Sequence, residues 1–294
     1  MTIKNIILSS GPTLLFIYLG SLQKLFNINY LIYDSIEKFY GTSMGSLLSL
    51  MLILAKNPSV VIERLSNQNF LQLLKFNVLN VLKLEYLYTA NEIRNIIIQL
   101  IEPFLKEYNL DKNFTFQDLY NATNKKIIIN TSSMLKQGGI IAEYFKLENT
   151  PNYSVVDAVV MTCTIPFLFE PIIYNGNLQL DGGLLNLDNT NYCLNENNKN
   201  ECFKLSYIAI GKTELFYDFD NYNFKKFFIG YNLSLQTTLN NVNPQQSIPN
   251  EIIFEITSAI DYNKILKLVL SKNVVNEDIK MGNEKATTFL LQNN

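Results

Sequence analysis

The residues best suited to chemistry are one serine flanked by glycines and one aspartate followed by glycines. Ser43 stands in Gly41-Thr42-Ser43-Met44-Gly45, a G-x-S-x-G pattern between a short apolar segment and an apolar helix. Glycine on both sides lets the backbone turn sharply, so that the hydroxyl is exposed at the carboxyl end of a strand. The N–H of Met44 then heads a helix, where hydrogen-bond donors and the helix dipole suit a developing negative charge. The pattern predicts a nucleophilic serine.

The base that activates this hydroxyl cannot be histidine, because the 294-residue chain contains none. Ser-His-Asp triads, Cys-His dyads and histidine-ligated zinc sites are therefore excluded. Asp181-Gly182-Gly183 supplies the alternative, an aspartate at the end of a short apolar segment with two flexible residues after it. A carboxylate with the ordinary pKa of about 3.9 is a weak base, so we expect burial to raise the pKa of Asp181. Ser43 and Asp181 are predicted to act as a pair.

The elements that position these residues alternate between strand and helix. Strands at residues 3–8 and 37–40 are each followed by a turn and an apolar helix, at 13–25 and 44–56, which predicts parallel strands joined by crossover helices. Further strands are expected at residues 126–131, 140–145, 171–174, 178–180, 205–210 and 251–257, with hairpin turns at Gly138-Gly139 and Asn175-Gly176. Further helical segments are expected across residues 58–106 (including 70–84), around Asp118, at 155–163 after an S-x-x-D capping box (Ser154, Asp157), at 223–239, and as two terminal helices.

The organisation that follows is one domain over residues 1–294. Neither an internal repeat nor a clear linker divides the chain, and the stretch from residue 181 to about 200 is expected to be a polar loop. The predicted fold class is α/β with a mostly parallel central sheet.

Composition narrows the function classes further. The net charge of −2 gives no basic face for nucleic acid, and the three cysteines form no C-x-x-C pair. We find no signal peptide, and no apolar run approaches the ~20 residues of a membrane-spanning helix. The chain is therefore expected to be cytoplasmic with reduced thiols, and to contact membranes only transiently and peripherally. Its oligomeric state is left open.

Several motifs together resemble the patatin-like phospholipases, lipid acyl hydrolases with a Ser-Asp dyad. The family pattern A-S-x-x-x-P-x-x-F-x-P, then G, then D-G-G-x-x-x-N is similar to residues 162–171, Gly176 and residues 181–186. The T-F-x-x-L and N-T-P segments are similar to residues 114–120 and 149–152. The order and spacing agree over residues 3–186, while the last third is only loosely similar. Cys163 falls inside this pattern, where we expect a small packing residue.

One family motif is altered. The oxyanion loop of the family reads G-G-G-x-[RK]-G, whereas this chain has Ser9-Ser10-Gly11-Pro12-Thr13-Leu14-Leu15, with Gly20 recovering the later pattern. The basic residue is absent, and Pro12 has no N–H to donate. The resemblance then implies that the oxyanion is held by the N–H groups of Gly11, Thr13 and Met44.

The resemblance implies a patatin-like three-layer α/β/α sandwich. It also implies hydrolysis of carboxylic esters in glycerophospholipids or related acyl lipids, through an acyl-enzyme on Ser43 with Asp181 as the base and with no metal or cofactor. Two other interpretations stay open. One is an esterase or thioesterase that uses the same pair on soluble acyl substrates. The other is a catalytically weak lipid-binding or interaction protein, which the altered oxyanion loop suggests. The head group and the position of the cleaved ester are not determined by the sequence.

Overall fold

The structure is a computed structural model that describes residues 2–67, 86, 88–166, 168–209, 246–256 and 272–293. Its strands are β1 (Asn5–Leu8), β2 (Lys38–Thr42), β3 (Lys126–Met134), β4 (Ile140–Phe145), β5 (Ile172–Tyr174), β6 (Asn177–Leu180), β7 (Cys202–Ala209) and β8 (Asn250–Ile256). Its α-helices are α1 (Leu15–Asn27), α2 (Met44–Ala55), α3 (Pro58–Ser66), α4 (Ala90–Leu105), α5 (Phe116–Thr123), α6 (Val155–Thr162), α7 (Thr190–Glu196) and α8 (Lys272–Gln292). The helices expected at residues 70–84 and 223–239, and the first of the two terminal helices, lie outside the described residues.

The strands form one eight-stranded sheet in which hydrogen bonds connect neighbours along the path β5-β6-β3-β2-β1-β7-β8, and β4 also pairs with β3. Strands β3, β2, β1, β7 and β8 are mutually parallel, whereas β4, β5 and β6 join through antiparallel hairpins. The mostly parallel α/β sheet expected from the alternating pattern is confirmed. The hairpin turns expected at Gly138-Gly139 and Asn175-Gly176 are also found, with positive φ at all four residues.

Helices flank the sheet on both faces. Because side chains alternate along a strand, Ile6 and Leu8 of β1 enter the larger core, to which helices α1 to α6 and α8 all contribute. On the opposite face, Ile7 of β1 packs in a smaller core with Cys193 of α7 and with Cys202. The two cysteines are free thiols whose sulfur atoms lie 3.5 Å apart. These two cores on opposite faces make the three-layer arrangement.

Strand β3 brings distant parts of the chain together. β2 pairs with its residues 126–130, and β6 pairs with its residues 132–134. β4 pairs with residues 129–134 and must therefore occupy the other edge of β3. It follows that β2 and β6 lie end to end along the same edge of β3 with their carboxyl ends facing each other. The residues that follow Thr42 and Leu180 are directed toward one point.

Helix α1 is held against α8 by very close backbone approach. A Cβ at Gly20 of α1 would lie 2.2 Å from the carbonyl oxygen of Ile279, and one at Gly282 of α8 would lie 2.0 Å from that of Ile17. The hydroxyl of Ser21 also donates to the carbonyl of Gly282 at 2.8 Å. Gly20, which aligns with a glycine of the family loop motif, therefore serves helix packing in this fold.

Three local expectations were wrong or incomplete. The helical region expected over residues 58–106 is interrupted, because Tyr88 forms a bridge with Phe169 before α4 begins. The loop expected after residue 181 contains α7, whose Cys193 is fully buried. Only half of the capping box before α6 forms. Ser154 accepts from the N–H of Asp157, but the Asp157 carboxylate is paired with Arg94 at 2.7 Å.

Within the described part of the chain, no single helix is both long and apolar enough to cross a membrane. Helices α2 and α3 reach that length and hydropathy only when joined, and they are bent by 116° relative to each other.

Candidate active site

Ser43 occupies a strained turn between β2 and α2. Its backbone has φ 51° and ψ −124°, a conformation that residues with a side chain rarely adopt. The turn is tight because both flanking glycines touch backbone. A Cβ at Gly41 would lie 2.3 Å from Cα of Ser46, and one at Gly45 would lie 2.2 Å from the carbonyl oxygen of Leu8. The predicted elbow is thus present, and α2 begins directly behind Ser43.

We expect Gly45→Ala to destabilise the protein by roughly 3–5 kcal/mol, because the added methyl meets backbone carbonyls that cannot rotate away. Urea unfolding of both proteins measures the difference. Gly138→Ala is the matched control. Gly138 has φ 96° but open space around it, so only the cost of positive φ, about 1–2 kcal/mol, applies. Equal losses in the two variants would contradict the close contact at Gly45.

The hydroxyl of Ser43 and the carboxylate of Asp181 meet where the ends of β2 and β6 converge. Oγ of Ser43 donates a hydrogen bond to Oδ2 of Asp181 at 2.5 Å. Both residues are only 6% exposed. The structure therefore brings together the two residues that the sequence predicted to act as a pair, although they are 138 positions apart.

The environment of Asp181 makes its carboxylate a stronger base than an ordinary aspartate. Oδ1 accepts the N–H of Gly183 at 2.8 Å, and the backbone N–H of Asp181 donates to the carbonyl of Thr164 at 2.8 Å. Burial raises the pKa of Asp181 to about 6, although the hydrogen bonds from Ser43 and Gly183 act in the opposite direction. The direction is the one expected from the sequence. At neutral pH the carboxylate is ionised and can accept a proton.

Two residues that sequence reasoning missed hold the elbow in place. The N–H of Ser43 donates to Oγ1 of Thr162 at 3.0 Å, and that hydroxyl donates to the carbonyl of Asn130 at 2.6 Å. The side chain of Asn130 accepts from Thr42 at 2.7 Å. A signal existed for both. Thr162 is a hydroxyl residue at the serine position of the family pattern, four residues before Pro166, and Asn130 is a polar residue near the end of the strand expected at 126–131.

Gly182 is required by the same network. A Cβ at this position would lie 2.4 Å from the carbonyl oxygen of Asn130 and 2.8 Å from Oγ1 of Thr162. Gly183 is similarly restricted, because its Cβ would lie 2.8 Å from Oγ of Ser10. The two glycines after Asp181 therefore let the chain pass directly beside β3 and the loop that follows β1.

We expect Thr162→Val to lower kcat about tenfold while changing KM little, because Ser43 loses the acceptor that fixes its backbone. Thr162→Ser keeps the hydroxyl and should restore most of the rate. Steady-state kinetics of the three proteins on one ester substrate provide the measurement. A KM effect without a kcat effect would assign Thr162 to substrate binding instead of positioning.

The loop predicted to hold the oxyanion lies beside this pair. In the β1–β2 register Leu8 is opposite Gly41, so Ser9 and Ser10 continue alongside Thr42 and Ser43. The N–H of Ser10 donates to the carbonyl of Leu187 at 2.8 Å, which ties the loop to the segment after Asp181.

The three predicted donors belong to two adjoining turns. Gly11 has φ 131° and precedes the short 3-10 turn Pro12–Leu14, which contains the buried Thr13. Met44 is the first residue of α2, so its N–H has no partner within the helix. The assignment of Gly11, Thr13 and Met44 as oxyanion donors stays a prediction.

The thiol of Cys163 borders the pair but is not set up as a nucleophile. Burial and the neighbouring Asp181 carboxylate raise its pKa well above the ordinary range, which opposes thiolate formation. Within the described ranges, no group of three or more Cys, Asp or Glu side chains is arranged to hold a metal ion.

A second polar cluster lies at the same carboxyl edge of the sheet. The buried Lys204 of β7 pairs with Asp188 and with Glu251 of β8, each at 3.0 Å. Burial lowers the pKa of Lys204, but the two carboxylates outweigh it, so that the pKa is raised and the ammonium stays charged. The cluster lines a cavity of about 250 Å³ that also includes Ser9. This cavity therefore adjoins the loop before Gly11.

Comparison with known proteins finds similarity along most of the chain. The family model of patatin-like phospholipases matches residues 6–193. A protein of Invertebrate iridescent virus 6, named probable lipid hydrolase 463L, is 28% identical over 221 residues. The match covers 72% of this chain and 70% of the viral protein.

Solved structures share the fold at low sequence identity. VipD from Legionella pneumophila superposes with a TM-score of 0.57 and 14% identity, and the match covers 99% of this chain and 67% of VipD. The type III effector protein ExoU from Pseudomonas aeruginosa gives a TM-score of 0.54 and 12% identity, over 99% of this chain and 53% of ExoU. The chain thus spans about half the length of ExoU. At these identities the similarity shows the fold alone.

Proposed function

The chain belongs to the patatin-like phospholipase family, and on that premise we propose that it is a lipid acyl hydrolase that cleaves carboxylic esters of glycerophospholipids through Ser43 and Asp181. The observation that carries the proposal is the 2.5 Å hydrogen bond from Oγ of Ser43 to the buried carboxylate of Asp181. The name of the iridescent virus relative, a probable lipid hydrolase, supports the same class of activity.

In the first half-reaction, Oγ of Ser43 attacks the acyl carbonyl carbon and its proton passes to Oδ2 of Asp181. The pKa of about 6 suits this transfer, because the carboxylate is ionised at neutral pH yet more basic than an ordinary aspartate. Collapse of the tetrahedral intermediate breaks the ester bond. Asp181 returns the proton to the departing alkoxide, and the acyl group remains on Ser43 as an ester.

In the second half-reaction, water loses a proton to Asp181 and attacks the acyl-enzyme. The fatty acid leaves and Ser43 recovers its proton from Asp181. In both halves the negative charge on the carbonyl oxygen is held by N–H groups, for which Gly11, Thr13 and Met44 are the proposed donors. Pro12 contributes none, so the loop works with fewer donors than the family pattern provides.

The test is to compare release of fatty acid from phospholipid vesicles with hydrolysis of a short soluble ester. A lipid acyl hydrolase should release fatty acid from vesicles and turn over faster on them than on the soluble ester. Activity on soluble esters or thioesters alone would assign the chain to the esterase alternative. If neither substrate is hydrolysed while vesicles are bound, the altered oxyanion loop marks a lipid-binding protein without catalysis.

A further inference from the structure

A row of apolar side chains crosses the antiparallel end of the sheet. Ile173 of β5 is opposite Leu178 of β6, Leu178 is opposite Met134 of β3, and Met134 is opposite Ile140 of β4. Residues paired in this way point to the same face, with Cβ atoms about 5 Å apart. Ile173 is 72% exposed, Met134 44% and Leu178 37%, and Ile140 is half-buried. We call these four side chains the outer apolar row.

The row stands beside the candidate active site. Two residues inward, on the same face, Ser132 of β3 is opposite Leu180, which directly precedes Asp181. At about 3.3 Å per residue, Leu178 lies within roughly 10 Å of Asp181 along β6. Met134 follows the β3 residue opposite Thr42 by four positions. The hairpins therefore project beyond the carboxyl edge at which Ser43 is located.

A hydrogen bond connects the two hairpin turns next to the row, and Lys136 gives them a positive charge. The N–H of Lys136 in the β3–β4 turn donates to Oδ1 of Asn177 beside the β5–β6 turn, at 3.2 Å. Residues 134–140 and 171–180 contain one lysine and no acidic residue, although the whole chain has a net charge of −2. An apolar row next to a lone ammonium is complementary to a surface with acyl chains and anionic head groups.

We infer that the outer apolar row and Lys136 form the surface by which this protein docks on an anionic lipid bilayer. The inference rests on the proposed function, since an acyl-lipid substrate is what makes a lipid surface the partner. A protein partner that adds a strand to β5 is disfavoured, because this edge strand has only three residues. The apolar side chains project from the face of the sheet, which suits shallow insertion between lipid head groups.

The experiment measures flotation with vesicles of phosphatidylcholine, with and without phosphatidylglycerol. All variants are made in a Ser43→Ala background so that the vesicles stay intact. Ile173→Asp should lower binding to the anionic vesicles about tenfold, and Lys136→Gln about fivefold, the latter only where phosphatidylglycerol is present. Leu291→Asp is the matched control, because Leu291 is 77% exposed at the end of α8 and outside the row.

Equal losses for Ile173→Asp and Leu291→Asp, or none for either, would overturn the inference. A dimer that Ile173→Asp dissociates in light-scattering measurements, with vesicle binding unchanged, would assign the row to a second copy of the chain. Thermal unfolding checks that Ile173→Asp is folded, and Ile173→Ser replaces it otherwise. If the protein with Ser43 intact hydrolysed no ester, the proposed function would fail. A loss of vesicle binding in Ile173→Asp but not in Leu291→Asp would still support the docking surface, so the two failures are distinguishable.

Discussion

Replacing Ser43 with alanine is expected to lower kcat for ester hydrolysis by a factor of at least about 10⁴, with little change in the apparent binding of substrate. The variant removes the only atom that can form the acyl-enzyme in the proposed mechanism. It keeps the backbone N–H groups near Gly11 and Met44. Residual hydrolysis should therefore come from water attacking a carbonyl that the remaining donors polarise, and it should show no burst of acyl-enzyme formation.

The control for this result is Ser49→Ala in helix α2. Ser49 is also a fully buried serine, but its hydroxyl donates to the carbonyl of Gly45 within the helix at 2.8 Å. Its loss should leave kcat within about twofold, because a serine hydroxyl bonded back to its own helix adds little. Burst kinetics with a chromogenic ester would measure both variants. If Ser43→Ala kept more than a tenth of the rate, another nucleophile would have to carry the reaction.

The second large effect is expected for Asp181→Asn, with a loss in kcat of about 10³–10⁴. An asparagine amide can take the place of the carboxylate between Ser43 and the N–H of Gly183, so the geometry should persist. It cannot accept the proton of Ser43. Activity near that of the unmodified protein would exclude Asp181 as the base.

The pH dependence of the unmodified enzyme follows from the same residue. With a pKa of about 6 for Asp181, the ionised form that accepts the proton becomes populated as the pH rises. The value of kcat/KM should therefore rise through about pH 6 and level off above it. A profile already flat at pH 5 would contradict the raised pKa.

Asp181→Asn should also make the protein more stable at pH 8. The folded pKa of about 6 lies above the ordinary value of 3.8, so between these values the folded state holds a proton that the unfolded state releases. Stability consequently falls as the pH rises through this window, by about 3 kcal/mol in all. The asparagine variant lacks this cost, so the difference in the free energy of unfolding should shrink toward pH 4. A variant less stable than the parent at pH 8 would contradict this.

Sequence alone predicted the parts of the site that depend on short-range chemistry. The elbow around Ser43 and the turn at Asn175-Gly176 both depend on glycines within a few residues of the feature. The choice of Asp181 as the base followed from the missing histidine and from the two glycines after it. Each of these signals is local, so it can be recognised before the fold is known.

The parts that could not be predicted depend on which strands become neighbours. Thr162 supports Ser43 only because α6 ends beside Asn130 in the middle of β3, and Asn130 contributes through both its carbonyl and its side chain. The helix α7 also escaped prediction, since its polar sequence has weak helical periodicity. Its buried Cys193 can make apolar contacts only after the strands have paired, because its partners are side chains on one face of the sheet, such as Ile7.

The shared edge of β3 also sets when the site can first exist during folding. Ser43 and Asp181 are 138 residues apart, and they meet only after β2 and β6 have both paired with β3. Contacts of such long sequence separation form late, because the loop between them must close first. A nascent chain that has not emerged past Asp181 therefore has an elbow without a base. The shared edge thus delays the proposed ester hydrolysis until β6 has joined the parallel strands, so that activity would report the pairing of β2 and β6 with β3.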